Sequence, residues 1–508
     1  MTAYEELEAR FKRLGALGEA AGMLQWDMSV MMPPGGAAAR SEQLAALDMT
    51  CHDLIADPAL ADLLTAAEEA AAEDGVAEDG AANLDPWARA NLREMRRRWR
   101  HETALEPALV EALSRTGNAC EMVWRQARAA ADFAMVLPKL KELLGLVRQA
   151  AAAKAEALGC SPYDALLDEF EPGVSSARID AIFDDLAAFL PGFLGQVLER
   201  QAAAPAPLPL EGPFPLDRQR ALAERLMAAV GFDFEHGRLD TSLHPFCGGV
   251  PEDLRITTRY DEADFTKALM GVLHETGHAM YERHLPAKWR LQPVGGAPGM
   301  AAHESQSLLI EMQACRSAAF VGYLAPMARD AFGASGPAWE PDNLLRLYNR
   351  VEPGFIRVDA DEVTYPAHVI LRYRLEKAMI AGEMEPDDLP GAWNAGMAEL
   401  LGITPPDDAL GCLQDIHWYD GAWGYFPTYT LGAMAAAQIF AAATEAVPEI
   451  PDAIGRGDFA PLMVWLAEHV HGRASLTTTD ALIEHATGKP LDPKVFQASL
   501  RARYLGEG

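Results

Sequence analysis

Two histidines that lie one helical turn apart, with a glutamate between them, constrain this chain more than any other feature. These residues are His274, Glu275 and His278. On an α-helix, side chains at i and i+4 project from the same face, so both imidazoles can bind one tetrahedral cation. Glu275 would then lie beside the open coordination position, as a general base towards metal-activated water. The segment therefore predicts a helix that carries a catalytic zinc site.

The surrounding sequence places this motif in the middle of a helix. Apolar residues recur at helical spacing between 261 and 280, and Asp261 is the predicted N-cap. The helix should end near Leu285, where a Pro- and Gly-rich segment begins. Gly277 inside the helix indicates close approach of another backbone, because glycine is otherwise unfavourable there. A second helix is predicted over 300–314.

A catalytic zinc needs a third protein ligand, and the second predicted helix offers two candidates. His303 and Glu304 are adjacent near its start. Adjacent residues on a helix point about 100° apart, so only one of them can face the metal. We expect Glu304 to be the third ligand, with His303 as its rival. The alternative for Glu304 is a first-turn glutamate that only stabilises the helix dipole.

Composition favours a mostly α-helical fold. Half of the 508 residues are hydrophobic, alanine is abundant and β-branched runs are rare. We predict one large helical body, a single domain over 1–508 with its site motifs between 244 and 429. The Pro-rich connector 204–216 is the candidate for a sub-domain break.

A small β-sheet is expected just before the metal helix. Two β-rich stretches, 238–246 and 253–260, flank a turn at 247–251 and predict an antiparallel arrangement. The second stretch could pair with an extended peptide beside the metal site. The alternative is a structural ribbon that covers the helix ends.

Charge and cysteine content bound the partners and the compartment. The formal net charge of −31 repels phosphate backbones and anionic membrane surfaces, so we expect neither nucleic acid nor a membrane as partner. The amino terminus carries no apolar signal core. Six widely spaced cysteines without a C-x-x-C pair indicate buried thiols in a reducing cytoplasm. We therefore predict a cytoplasmic protein.

Six ordered motifs carry a resemblance to a known family. They are HPF at 244–246, DLRIT at 253–257, HETGH at 274–278, HESQ at 303–306, IRVDAD at 356–361 and GCLQDIHW at 411–418. With these motifs the sequence resembles the carboxypeptidase Taq family of zinc metallocarboxypeptidases. The similarity extends over nearly the whole chain, because QWD at 25–27 and the region 490–504 also match.

The resemblance implies a fold, an activity and an assembly. It implies a mostly α-helical subunit with a deep active-site groove and a small sheet, a homodimer, and release of single amino acids from peptides with a free carboxyl terminus. It also implies that His274, His278 and Glu304 bind one divalent metal per subunit, zinc first and cobalt as the alternative. Glu275 would serve first as general base and then as proton donor to the leaving amine.

An exopeptidase of this kind must recognise a free carboxylate, for which arginine offers bidentate hydrogen bonds. Arg357, in the IRVDAD motif, is the first candidate, and Arg255, in the DLRIT motif, is the second. The alternative for Arg255 is a structural ion pair with Asp253 or Glu252. Arg357 has the same alternative, with Asp359 or Asp361 as its partner.

The segment 411–429 is rich in side chains that can donate a hydrogen bond to a developing oxyanion. We predict His417 and Tyr425 in this role, with Tyr429 as the rival tyrosine. His244, in the HPF motif, is predicted to contact substrate, and the alternative is that it only caps a local turn. Acidic residues should also orient the metal histidines through their distal ring nitrogens, and the candidates are Asp359, Asp361 and Asp415.

Two other functions remain as alternatives. The first is an endo-acting oligopeptidase similar to the thimet oligopeptidase group, which also pairs HExxH with a downstream glutamate. The motifs of Arg357 and Arg255 argue against it. The second is a catalytically silent metal-binding scaffold, against which an intact Glu275 argues, because a purely structural zinc site more often closes with four ligands.

Overall fold

The computed structural model describes residues 1–72 and 84–507, and these residues are mostly α-helical. In chain order the α-helices are α1 (Ala3–Val30), α2 (Ala37–Ile55), α3 (Pro58–Ala72), α4 (Pro86–Thr103), α5 (Pro107–Ala130), α6 (Phe133–Leu158), α7 (Pro162–Leu167), α8 (Ser176–Ala203), α9 (Leu216–Val230), α10 (Phe265–His284), α11 (Met300–Leu308), α12 (Ala318–Phe332), α13 (Pro341–Tyr348), α14 (Tyr365–Ala381), α15 (Leu389–Leu401), α16 (His417–Asp420), α17 (Pro427–Ala446), α18 (Ile450–Ile454), α19 (Ala460–His469), α20 (Thr479–Thr487) and α21 (Pro493–Leu505). The strands are β1 (Gly237–Thr241), β2 (Phe246–Val250) and β3 (Asp253–Thr258). The predicted mostly α-helical fold with a small sheet is confirmed.

The chain divides into two compact units, each built from three segments. Unit 1 comprises Met1–Thr103, Pro207–Tyr348 and Ile439–Pro490, and unit 2 comprises Ala104–Ala206, Asn349–Gln438 and Leu491–Gly508. One boundary, between 206 and 207, falls inside the connector 204–216. The single domain over 1–508 stays a prediction.

Helix α10 forms part of the core of unit 1. It packs against α9, α11, β2 and β3. The apolar residues that predicted it, including Phe265, Leu269 and Val272, are all buried. The helix is capped by Asp264, whose side chain accepts a hydrogen bond from the Thr266 N–H, and not by Asp261 as predicted.

The helix therefore begins one turn later than the sequence suggested. The carboxylate of Asp261 accepts instead from the N–H of Ala263, in the loop before the helix. Helix α10 ends at its predicted place, with Leu285 as the C-cap. The second predicted helix is also present, as α11 followed by a π-helical turn, Leu309–Ala314.

The small sheet has three strands in the order β1-β3-β2, and it is mixed. Strand β2 is antiparallel to β3, whereas β1 is parallel to β3. The predicted fully antiparallel arrangement is therefore wrong, because residues assigned to the turn form β2. Gly249 permits this: its φ is +93°, and a Cβ there would lie 2.1 Å from the carbonyl oxygen of Asp253. The chain reverses within two residues, Pro251 and Glu252.

Helix α8 is central to unit 2. By length and composition it is the one helix in the described part of the chain that could cross a membrane. However, Ile179, Phe183 and Leu190 on this helix are buried, and it packs against α14, α15 and α21. These contacts are typical of a core helix.

The six cysteines are free thiols. Cys120, Cys315 and Cys412 are buried, as predicted, whereas Cys51 and Cys247 are only partly buried and Cys160 is exposed. Cys160 lies just after the end of α6, where the left-handed Gly159 turns the chain at the surface. The cytoplasmic location stays a prediction.

Candidate active site

The two helices that carry the metal motif and Glu304 approach each other closely at Gly277. A Cβ at this position would lie 2.6 Å from the carbonyl oxygen of Gln306 and 2.6 Å from the Cα of Ser307. Only glycine allows the backbone of α10 to meet that of α11 at this distance. The close backbone approach expected from the sequence is thus present.

This approach brings His274, His278 and Glu304 together. The Nε2 atom of His278 lies 3.6 Å from Glu304 Oε2, and the Nε2 atom of His274 lies 4.0 Å from the same oxygen. One ligand atom from each residue lies within 4.8 Å of the others. Tetrahedral zinc ligands at ~2.1 Å from the metal are separated by about 3.4 Å. The donor set therefore fits one tetrahedral cation with a position left for water.

His303, the rival third ligand, has a different partner. Its Nε2 atom lies 2.9 Å from Oε1 of Glu282, on α10. Because Glu304 is adjacent on the helix, the two side chains point in different directions. This pairing favours Glu304 as the third ligand.

The acceptor for the distal nitrogen of His274 is Glu311, which the sequence analysis missed. Nδ1 of His274 lies 3.0 Å from Glu311 Oε2, and Glu311 Oε1 accepts from Arg316 Nη2 at 2.8 Å. None of the three aspartates considered from the sequence makes this contact. Glu311 lies in the π-helical turn after α11, seven residues beyond Glu304. That two-turn spacing on one helix face was the available signal.

The cluster formed by His274, Glu275, Glu304, Glu311 and Arg316 is strongly acidic. Burial opposes the charge on His274, but the hydrogen bond that its Nδ1–H donates to Glu311 and the charge of Glu304 outweigh burial and raise the pKa of His274 to about 10. Burial raises the pKa of the Glu275 carboxyl to about 7. Metal binding requires neutral imidazoles. In that state, three ionised carboxylates and one guanidinium leave a formal charge of −2, which a divalent cation would balance.

The other two unit 1 candidates lie at the sheet. Arg255 makes a bidentate ion pair with Asp253, with Nη2–Oδ2 at 2.6 Å and Nε–Oδ1 at 3.1 Å. Its guanidinium also stacks over the ring of Trp26 at 4.5 Å, which accounts for part of the QWD motif. The structural ion pair considered for Arg255 is therefore present. His244 is exposed, and its carbonyl accepts a hydrogen bond from Ser242.

Unit 2 contains a second buried charged cluster, around Arg357. The Nε and Nη2 atoms of Arg357 donate to Asp415 Oδ1 at 3.2 and 2.9 Å, and Nη1 donates to the hydroxyl of Tyr365 at 3.1 Å. Arg357 therefore forms its ion pair with Asp415, and not with Asp359 or Asp361 as considered from the sequence. Asp361 instead accepts backbone hydrogen bonds from 352, 363 and 364, which hold the local turn.

His417, Tyr425 and Tyr429 also lie together in unit 2. Nε2 of His417 lies 3.4 Å from the Tyr429 hydroxyl, and its ring centroid is 5.8 Å from that of Tyr425. Burial and the charge of Arg357 lower the pKa of His417 to about 4. The imidazole is therefore neutral at pH 7 and offers one N–H donor.

Comparisons with known proteins cover nearly the whole chain. The model of the carboxypeptidase Taq (M32) metallopeptidase family matches residues 6–504. The chain is 36% identical to thermostable carboxypeptidase 1 of Thermus thermophilus, over 99% of this chain and 98% of that protein. It is 32% identical to carboxypeptidase 1 of Bacillus subtilis, over 97% and 96%.

Solved structures agree with the sequence comparisons. Metallocarboxypeptidase 1 of Trypanosoma cruzi superposes with a TM-score of 0.95 and 41% identity, over 99% of both chains. The M32 carboxypeptidase from Deinococcus radiodurans R1 gives a TM-score of 0.90 with 34% identity, over 99% of this chain and 98% of that one. The resemblance seen in the six motifs is confirmed over the length of the chain.

Proposed function

This chain belongs to the carboxypeptidase Taq (M32) family of metallopeptidases, and on that basis we propose that it releases single amino acids from the carboxyl termini of peptides. Membership makes it a metallocarboxypeptidase, a hydrolase whose substrates are peptides. Three further points are our proposal: which residues carry out the reaction, which metal is bound, and that the protein removes one residue at a time from a free carboxyl terminus.

The proposed metal ligands are His274, His278 and Glu304. Two imidazoles and one carboxylate on facing helices match the donor set of a catalytic zinc site, so we propose zinc, with cobalt as the alternative. A divalent cation bound there would activate water and polarise the scissile carbonyl. Glu311 holds His274 through Nδ1 and fixes its ring orientation.

Glu275 is the proposed general base. Its carboxylate would take a proton from the attacking water and deliver it to the nitrogen of the leaving amino acid. Its buried position and raised pKa, about 7, suit a group that must both accept and release a proton near neutral pH.

Arg357 is the proposed receptor for the terminal carboxylate. It is buried, it is held by Asp415 on one edge, and it retains donors on both terminal nitrogens. Arg255, which is held by Asp253 and Trp26, is the second candidate, and His244 is the proposed substrate contact on the exposed loop before β2.

His417 is the proposed donor to the developing oxyanion. Its lowered pKa keeps the imidazole neutral, which suits a hydrogen-bond donor better than a proton-transfer acid. Tyr425 is proposed to assist, and the contact between His417 and Tyr429 makes the latter tyrosine its rival.

The single observation that carries the proposal is the convergence of His274, His278 and Glu304 beside buried Glu275. The test is mass spectrometry of a mixed peptide set incubated with the metal-loaded protein, in which each peptide has either a free or an amidated carboxyl terminus. Stepwise loss of single residues from free termini only is the expected result. A Glu275→Gln control should leave all peptides intact.

Internal cleavage that is indifferent to amidation would contradict the exopeptidase mode. It would indicate an oligopeptidase of the thimet type and would remove the assigned role of Arg357. Cleavage by the Glu275→Gln control would instead contradict the assigned base. We also propose a homodimer in the cytoplasm, and the molar mass of the purified protein in solution tests the dimer.

A further inference from the structure

The cluster in unit 2 contains a second guanidinium with no role in the function proposed above. Arg372, on α14, is fully buried. Its Nε atom donates to Asp415 Oδ2 at 2.6 Å, while Arg357 binds the other oxygen, Oδ1. Nη1 of Arg372 donates to the carbonyl of His368, one turn earlier on the same helix. Asp415 is thus shared between two arginines.

The charges of this cluster do not balance. Burial lowers the pKa of Arg372 to about 10, so it stays protonated at pH 7. The charges of Arg372 and Arg357 outweigh the burial of Asp415 and hold the pKa of that carboxyl well below its usual range. Burial and the same two arginines lower the pKa of His368 to about 3, so this ring is neutral.

Two guanidinium charges therefore face one carboxylate. His417 is neutral as well, so the formal charge of the cluster is +1. A buried charge without a partner is costly, and a monoanion that enters the cluster would remove this cost.

The donors that remain on Arg357 define where such an anion can bind. A guanidinium has five N–H groups, and among the described residues Asp415 takes two of them and Tyr365 takes one. One N–H is left on each terminal nitrogen. A free donor on each terminal nitrogen is what a guanidinium needs to bind a carboxylate bidentately.

We infer that Arg372 is a positioning residue for recognition of the terminal carboxylate, because it fixes Asp415 against Arg357 and supplies the second positive charge. The inference rests on the proposed role of Arg357. Without Arg372, Arg357 and Asp415 form a neutral pair, and no positive charge is left over to balance an incoming carboxylate. With Arg372 present, the cluster accepts one carboxylate and reaches neutrality.

The test compares two competitive inhibitors that differ only at the carboxyl group, phenylalanine and phenylalaninamide. Their inhibition constants are measured for the metal-loaded parent, Arg372→Gln, Arg372→Lys and Arg374→Gln. The ratio of the two constants reports recognition of the carboxylate, because a general loss of structure weakens both inhibitors alike. Arg374 is the matched control: it lies on the same helix and pairs with Asp184 and Glu399 at the surface.

We expect the parent to prefer the acid over the amide, and Arg372→Gln to reduce this preference by about tenfold or more. Arg372→Lys keeps the charge and loses the planar fork, so its preference should fall by about threefold. Arg374→Gln should match the parent. If Arg372→Gln does not fold, Arg372→Lys decides the question by the same ratio.

Two outcomes would overturn the inference, and they are distinguishable. If the parent prefers the acid and the Arg372 variants keep the full preference, Arg372 is only structural and the proposed role of Arg357 stands. If the parent itself shows no preference, carboxylate recognition by Arg357 fails, and the role of Arg372 fails with it.

Discussion

The two charged clusters of this protein, one in each unit, have opposite signs. In unit 1, the carboxylates of Glu275, Glu304 and Glu311 outnumber the one guanidinium of Arg316, so this negative cluster lacks a cation. In unit 2, Arg357 and Arg372 share Asp415, so this positive cluster lacks an anion. A metallocarboxypeptidase must bind a divalent metal and, in the proposed mode, a terminal carboxylate. Each imbalance matches one of these ligands.

The two clusters also share one arrangement, in which a buried ion pair fixes the side chain that is proposed to bind the ligand. In unit 1, Glu311 is held by Arg316 and in turn holds His274. In unit 2, Asp415 is held by Arg372 and in turn holds Arg357. In both clusters an ion pair orients the side chain that is proposed to meet the ligand.

The largest expected effect comes from Glu275→Gln. The variant keeps the shape of the side chain but cannot accept a proton, so kcat should fall by about 10²–10⁴-fold. Metal content should stay at the parent level, because Glu275 is not among the three proposed ligands. Kinetics on a free-acid peptide and elemental analysis check both parts. Residual activity close to the parent would show that another group is the base.

Arg357→Gln tests the positive cluster. It removes a buried donor from the proposed carboxylate, at a cost of about 3 kcal/mol, which corresponds to roughly a hundredfold loss in kcat/KM for free-acid peptides. Arg350→Gln is the control, because Arg350 forms an exposed pair with Glu352 nearby in sequence. Equal effects of the two substitutions would mean that unit 2 does not recognise the carboxylate.

Glu311→Gln tests the contact between Glu311 and His274 in the negative cluster. Loss of the charge that holds His274 should weaken metal binding by about 10–100-fold. Competition with a chelator of known affinity measures this loss without reference to activity. An unchanged affinity would show that the contact between Glu311 and His274 does not support the metal site.

Glu376, in unit 2, is a buried carboxylate that has no guanidinium partner among the contacts of its side chain. It accepts from the Tyr163 hydroxyl at 2.5 Å and from Trp418 Nε1 at 3.0 Å, and burial raises its pKa to about 7. The folded protein therefore keeps a proton that the unfolded chain releases near pH 4.5. Stability associated with Glu376 is present at low pH and is lost as pH rises towards 7.

Glu376→Gln cannot titrate, so its stability relative to the parent should rise between pH 4.5 and 7. The expected change is about 2–3 kcal/mol, measured as the difference in Tm across a pH series. A difference that is constant with pH would show that the carboxyl of Glu376 is ionised throughout. Asp415 differs from Glu376 because its two arginines keep it charged.

The smallest effect should come from His303→Gln. His303 pairs with Glu282, and its neighbour Glu304 is the proposed metal ligand. Metal affinity should change by less than about threefold, whereas Glu304→Gln should lose far more. A large loss in His303→Gln would make His303 the third ligand.

The negative cluster was largely predictable from the sequence because its signals are local. His274 and His278 lie one turn apart, and Gly277 marked the place where a second helix approaches. Helix periodicity also located the buried face of α10. The N-cap was misplaced because Asp261 and Asp264 are both capping residues in the same loop, and only the backbone decides between them.

The positive cluster was only partly predictable, because its contacts are distant in sequence. Arg357 was a candidate, but its partner Asp415 lies 58 residues away and Arg372 joins from a different helix, 43 residues before Asp415. No periodicity links such positions. The predicted strand arrangement was wrong for a similar reason. The local sequence of the hairpin between β2 and β3 does not indicate that β1 pairs with β3.

The measurement that tests the opposite-charge account most directly is calorimetric binding of one peptide, as the free acid and as the amide, to zinc-loaded Glu275→Gln protein. The inactive variant leaves both peptides intact, so the two dissociation constants are directly comparable. The free acid should bind about a hundredfold more tightly than the amide, because only the acid brings a charge that balances the cluster of Arg357, Arg372 and Asp415. Equal affinities would contradict this account, because a buried cluster of charge +1 that binds the terminus must distinguish a carboxylate from a neutral amide.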